Sequence, residues 1–271
     1  MRGVGQREVV RLPSGEGLQD DVVVEEPLEI RVADETMAVT MRTPGADREL
    51  ALGFLFAEGV IGSLADVGGV AHCGRPDKEG YGNTINVVPG PGVSLDLDRL
   101  SATRRGTLTT SACGVCGRRS VDDVLERCAA VPSGPIVAFA IIANAIDALR
   151  NDQPNFARTG GIHAAALLDQ TGKVLSAFED IGRHNAVDKA VGALLFSGRL
   201  SEAALLVVSG RASFEVVQKA AAAGVRILAS VSAASSLAID LARATNLTLC
   251  GFVRGGAMTV YAHPERLALP R

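Results

Sequence analysis

Along the chain the apolar positions change period several times, and each change marks an element. Between Asp21 and Arg42 the runs VVVEEPLEIRV and MAVTMR are rich in β-branched and apolar residues, the mark of half-buried strands. Ala33-Asp34-Glu35 between them predicts a hairpin turn. After Pro44-Gly45 the period lengthens. Leu50, Phe54, Ala57 and Ile61 recur at spacings of four, three and four, which predicts a helix with one buried face. Glycine-rich connections follow, then one more strand at Asn83 to Val88 and a loop at PGPG. Residues 21–102 therefore read as a small α+β domain.

Between Ser101 and Ser120 the pattern disappears. The stretch SATRRGTLTTSACGVCGRRS predicts an irregular, polar, mobile loop, placed at 103–120. Order resumes at Ser120-Val121-Asp122-Asp123, similar to a capping box, opening a helix that carries Val124, Leu125 and Cys128 inward. A helix around Ile142 to Arg150 precedes HAAALLD and KVLSAFED, joined by a turn at Gln170-Thr171-Gly172, and a helix from about Asn185 to Leu195 comes next. From there strands and helices alternate: ALLVVS, FEVVQKAAAAG, RILASV, SLAIDLARATN, LTLCGFV. Short apolar strands alternating with helices predict a parallel sheet covered on both faces, so the fold class is α/β with its larger domain at 121–271. Right-handed crossovers would bring SGRAS, SVSAAS and CGFVRGGA to the carboxyl edge of that sheet, where open α/β sheets bind ligands.

Composition narrows the class. A chain of 271 residues, 47% hydrophobic and with a formal net charge of -3, has enough apolar material for a core and no overall basic field to recruit nucleic acid. No run approaches a membrane span, and the polar N-terminus lacks a secretory apolar stretch, so a cytoplasmic location is expected. Five cysteines, only Cys113 and Cys116 closely spaced, do not resemble an extracellular disulfide framework. Cys73, Cys128 and Cys250 read as buried small hydrophobes.

The Cys113/Cys116 pair has three readings. Half of a zinc site needs a second ligand pair, and the nearest, the adjacent His72-Cys73, has poor spacing, so no metal is expected. A redox pair should open a helix directly after a strand, whereas this one lies in a loop. A sulfur carrier needs an activated thiolate on a travelling loop. Proximity to a helix N-terminus and to Arg104, Arg105, Arg118 and Arg119 would lower a thiol's pKa, and the flanking glycines allow motion.

Two strand-to-helix turns, Ser209-Gly210-Arg211-Ala212-Ser213 and Ser232-Ala233-Ala234-Ser235-Ser236, set Ser and Gly at helix starts, where free N–H groups suit anions and Arg211 suits phosphate. Phe252-Val253-Arg254-Gly255-Gly256-Ala257 adds an aromatic face and another Arg. Each Ser is equally an ordinary cap and each Gly an ordinary turn residue; recurrence on one edge favours a nucleotide or pyrophosphate pocket. Within Glu179 to Asn185, His184 suits a general acid/base or a phosphate donor, and helix capping by Asp180 and Asn185 with an Arg183–Glu179 pair is the plainer alternative. His163 has the same ambiguity, and His263 has no special role.

CGVCG, RTGGIHAAAL, EDIGRHNAVDKAVG, SGRASFEVVQKAAAAGV and LTLCGFVRGGAMTVYAHPERL, in this order and spacing, resemble the formate dehydrogenase accessory sulfurtransferases, the FdhD family. The resemblance runs from about Glu25 to near the C-terminus; residues 1–20 lie outside it and are expected to be a disordered tail. It implies a cytoplasmic homodimer that takes sulfur from a cysteine desulfurase as a persulfide. The sulfur then goes to the molybdenum bis(molybdopterin guanine dinucleotide) cofactor destined for formate dehydrogenase. It also implies that Cys113 carries the persulfide with Cys116 as second thiol, that Phe252 to Ala257 contact the guanine dinucleotide, where a guanine nucleotide could also sit, and that the larger domain is cytidine-deaminase-like. Ser209, Arg211, Ser232 and His184 join the expected cofactor site. Deamination itself is excluded, because His163 is followed by Ala164-Ala165 rather than a Glu at the second position, and the CxxC lies upstream. A non-covalent cofactor chaperone and a zinc-stabilised nucleotide-binding module are the alternatives.

Overall fold

A computed structural model describes residues 3–74, 81–97, 130–151 and 153–268. The chain opens with an antiparallel hairpin, β1 (Val4–Arg11) and β2 (Glu16–Val23). For residues 3–20 this corrects the expectation of a disordered tail over 1–20. The hairpin escaped the pattern because none of its side chains is buried on either face, so no apolar alternation marks it. Arg158, bonded to Asp21 at 2.9 Å, ties it down instead.

β3 (Glu26–Val32) and β4 (Glu35–Arg42) form the predicted hairpin. Ala33 and Asp34 at its turn have φ of 49° and 67°, the paired left-handed geometry that matches strand twist. Asn86 secures that turn by accepting from Asp34 N at 3.1 Å and donating to Asp34 Oδ1 at 2.8 Å. Helix α1 (Asp47–Ala57), β5 (Val67–His72) and β6 (Thr84–Pro89) complete a four-stranded sheet of order β4-β3-β6-β5. β5 was not predicted: two glycines in VGGVAH erase its alternation. Leu28, Ile30 and Val32 alternate with polar residues along β3 and pack with Ile85, Val87, Leu50, Leu55 and Ile61.

The remaining elements are β7 (Val137–Ala138), α2 (Phe139–Asn151), α3 (Pro154–Thr159), β8 (His163–Leu168), β9 (Val174–Asp180) and α4 (Arg183–Phe196). They continue with β10 (Leu205–Val208), α5 (Phe214–Ala222), β11 (Ile227–Ser230), α6 (Ser236–Ala244), β12 (Thr248–Arg254), β13 (Ala257–Ala262) and β14 (Leu267–Ala268). Six strands form one sheet, β13-β12-β11-β10-β8-β9. It is mixed rather than wholly parallel: β10, β11 and β12 run together, and the β8–β9 and β12–β13 hairpins flank them antiparallel. Alternate residues serve two cores, as a pleat requires. Leu206, Val208, Leu228 and Leu249 pack beneath α4, α5 and α6, while Leu205, Val207, Ile227 and Cys250 pack against Ile142, Ile146 and Leu149 of α2. The helix expected from Ser120, with Val124, Leu125 and Cys128, lies outside the described residues.

Helix α1 is buried on two sides, not one. One side faces the small sheet; the other meets α4 backbone to backbone. A Cβ on Gly53 would overlap the Asp188 carbonyl, and one on Gly192 would overlap that of Glu49. Only glycine lets the two helices approach so closely. The periodicity showed only the Leu50 side, since glycines carry no hydrophobic signal.

Candidate functional site

The three parallel strands end on one edge, and their following turns are zipped side by side. Ala212 N donates to Ala233 O at 3.1 Å, Ser235 N to Ala212 O at 3.1 Å, and Phe252 N to Ser232 O at 3.0 Å. Ser230, fully buried, buttresses the first two: its Oγ lies 2.6 Å from Gly210 O and 3.1 Å from Ser232 O, and it accepts from Ser232 N at 3.1 Å. Sequence reading passed over Ser230, because a serine closing an apolar strand looks like any strand end. Gly251 is where the turn before α6 and the final hairpin touch; a Cβ there would stand 2.9 Å from Ser232 O.

The edge therefore brings together the turns holding Ser209, Arg211, Ser232 and Phe252 to Ala257. Their side chains differ in availability. Ser209 Oγ accepts from Ala164 N at 2.9 Å, Ser232 is half-buried, and Arg211 is exposed. Phe252 to Ala257 is the tip of the β12–β13 hairpin rather than an open loop. Phe252 sits at φ 52° in an irregularity of the ladder and is 42% exposed, so its ring stands clear of the sheet. Val253 points the other way, 1% exposed in the core under α2. Arg254 is exposed, and Gly255 and Gly256, at φ 55° and 71°, turn the chain to exposed Ala257.

The cluster from Glu179 to Asn185 is split by the fold into separate tasks. Glu179 caps α3, accepting from Asn155 N at 3.0 Å and Phe156 N at 2.9 Å. Its expected pairing with Arg183 is replaced by this capping. Asp180, fully buried, takes Lys189 Nζ at 2.6 Å, Gly182 N at 2.8 Å, Asn185 Nδ2 at 3.0 Å and Thr43 N at 3.2 Å. Burial pushes its carboxyl up against the pull of Lys189 and those donors. This hub joins the two units, since Thr43 follows β4 and Asn185 also donates to Met41 O at 2.7 Å.

Arg183 is half-buried, and its Nε has no hydrogen-bond partner among the described residues. The His163 ring lies beside it over Gly210, where a Cβ would stand 3.3 Å from His163 Nδ1. Burial, then Arg183, pulls the His163 imidazole below its ordinary value, with Arg211 adding to that and Asp180 opposing it. His184 is 5% exposed and bonds to Ser213 Oγ at 3.1 Å and Glu215 Oε2 at 3.2 Å. His263 pairs with Glu265 at 2.9 Å, away from this edge.

Cys113 and Cys116 lie outside the described residues. Of the other thiols, Cys250 is fully buried, and burial pushes it up to about 12, an inert core group. Cys73 is half-buried rather than buried. Among the described residues no group of His, Cys, Asp and Glu is arranged to hold a metal, and no helix is long and apolar enough to cross a membrane.

Fold and site define a class: two-unit α/β proteins whose mixed six-stranded sheet gathers its polar turns on one edge, locked to a small α+β unit by buried ions and helix contact. The sequence profile of the FdhD/NarQ family matches residues 23–268, and the chain belongs to that family. It is 55% identical to the sulfur carrier protein FdhD of Anaeromyxobacter dehalogenans strain 2CP-1, over 98% of this chain and 94% of that one. To the sulfur carrier protein FdhD of Nocardia farcinica it is 47% identical, over 98% and 95%. A crystal structure from Desulfotalea psychrophila, assigned there as a formate dehydrogenase accessory protein, superposes with a TM-score of 0.74 at 25% identity, covering 98% of both chains.

Proposed function

We propose that this protein is a sulfurtransferase that accepts sulfur from a cysteine desulfurase on Cys113 and passes it to the molybdenum bis(molybdopterin guanine dinucleotide) cofactor used by formate dehydrogenase. The observation that carries this reading is the 55% identity to a sulfur carrier across nearly the whole chain. The CGVCG motif at 113–117 supplies the thiols that such a carrier needs.

In the acceptance step the Cys113 thiolate attacks the outer sulfur of the desulfurase persulfide. A Cys113 Sγ–S bond forms, the donor's S–S bond breaks, and the donor leaves as a thiolate, with no net redox change. Release at the sulfide level needs two electrons. Cys116 supplies them when its thiolate attacks Cys113 Sγ: a Cys113–Cys116 disulfide forms, hydrosulfide leaves, and a cellular dithiol restores both thiols.

The carboxyl edge has the chemistry to hold the nucleotide ends of this substrate. Exposed Phe252 offers a stacking face, exposed Arg211 and Arg254 offer charge, and the Arg183 Nε is a donor without a partner among the described residues. A homodimer and a cytoplasmic setting belong to the same proposal.

Anaerobic incubation with a cysteine desulfurase and cysteine, followed by intact-mass and peptide analysis, tests it. One added sulfur on Cys113 is expected, absent in C113A. A wild-type protein that takes no sulfur under these conditions refutes the transfer, and full support of formate dehydrogenase by C113A would favour a non-covalent chaperone.

A further inference from the structure

One constellation on the carboxyl edge is not explained by sulfur transfer. Ser213 is the N-cap residue of α5, yet its side chain makes no capping hydrogen bond. An ordinary capping serine turns its Oγ back to an N–H of the first helical turn. Ser235, at the matching position of α6, does this, accepting from Ala238 N at 3.3 Å. Ser213 Oγ instead lies 3.1 Å from His184 Nε2, and His184 Nδ1 lies 3.2 Å from Glu215 Oε2.

Three side chains from two helix starts therefore stand in the order hydroxyl, imidazole, carboxylate. With Nδ1–H donated to Glu215, Nε2 presents its lone pair to the Ser213 hydroxyl, the arrangement that activates a serine. The ring is fixed by burial at 5% exposure, while Ser213 keeps partial access to solvent. The first intrahelical bond of α5 runs from Val217 N to Ser213 O at 3.1 Å. The N–H groups of Phe214, Glu215 and Val216 precede it and point out of the helix end beside Ser213, where a developing oxyanion would be stabilised. Exposed Arg211, two residues upstream, favours a substrate that carries negative charge.

We propose that Ser213, His184 and Glu215 form a second reactive centre, at which Ser213 is the nucleophile toward activated acyl esters. As Ser213 Oγ bonds to the acyl carbon, its proton passes to His184 Nε2. The leaving alcohol takes that proton as its bond to the acyl carbon breaks. Water then adds to the acyl carbon, giving a proton to His184, which passes it to Ser213 Oγ as the acyl–Oγ bond breaks, so the net reaction is hydrolysis without oxidation or reduction. Ser213 and His184 are the catalytic residues, and Glu215 is a positioning residue. The proposal stands on this geometry alone and does not rest on the sulfur-transfer reading.

The test uses full-length protein with its thiols blocked by N-ethylmaleimide, exposed to a fluorophosphonate, which a reactive serine attacks at phosphorus with loss of fluoride. Peptide mass spectrometry should find the adduct on Ser213, not on Ser235, and should find none when the chain is first unfolded in urea. His184→Asn should slow labelling by about a hundredfold or more, the range for loss of a general base. Glu215→Gln should lower the limiting labelling rate while leaving the half-saturating probe concentration unchanged, a split that a merely structural contact would not give. No adduct on Ser213 in the folded wild type overturns the proposal, whether or not the variants fold, and so does an undiminished rate in folded H184N.

Discussion

Replacing Asp180 by Ala should destabilise the protein more than any other single change at the junction of its two units. The substitution deletes the acceptor of four bonds, from Lys189, Gly182, Asn185 and Thr43. Lys189 is left 2% exposed, with Thr43 O at 2.8 Å and no counter-charge within the ion pair. Removing one partner of a buried pair costs about 3–5 kcal/mol, because the stranded ion keeps its desolvation penalty. Against the roughly 5–15 kcal/mol that holds a typical domain folded, that is a large fraction. Urea unfolding followed by far-UV circular dichroism measures it. D180A should show a midpoint lowered in proportion, and D180N, which keeps an acceptor oxygen for Gly182 N, a smaller drop. K189M should cost less than D180A, because a carboxyl already pushed up by burial can take a proton once Lys189 is gone. If D180A unfolds within about 1 kcal/mol of wild type, the hub is not what joins the units, and the helix contact alone must do so.

Two further expectations bear on the same junction. Gly192→Ala should lower stability by about 1–3 kcal/mol, the usual range for overpacking, because its Cβ meets Glu49 backbone that no rotamer change can clear; an unchanged urea midpoint would refute the close approach of α1 and α4. Asp188, buried beside Lys219 Nζ at 2.8 Å, is pushed up to about 7 by burial that outweighs the ammonium, whereas Lys219, which burial alone would lower, is raised by Asp188, Glu215 and Glu58. A carboxyl raised on folding contributes stability that is full below its unfolded value near 3.8 and is lost as pH rises through about 7. Wild-type stability should therefore fall between pH 5 and 8 by more than that of Asp188→Asn in matched urea titrations, and equal slopes would refute the assignment.

Much of this architecture was legible in the chain. The period of two in LEIRV and the alternation of strands and helices after Leu205 follow from local geometry, so they announced the small sheet, the three parallel strands and the shared edge of their turns. The family followed from motifs that are contiguous in sequence, such as CGVCG and EDIGRHNAVDKAVG. Tertiary structure decided whatever depends on groups far apart along the chain. It showed that Glu179 caps α3 instead of pairing with Arg183, and that Val253 belongs to the core although its neighbours Phe252 and Arg254 face solvent. Asp180 became the link to Thr43, 137 positions away, and His184 met Ser213 of another helix start. Hydrophobic period reports which face of an element is buried, but the partner of a polar side chain is chosen only when separate elements pack. For that reason the sequence could mark Glu179 to Asn185 as dense with chemistry without assigning a task to any one of its residues.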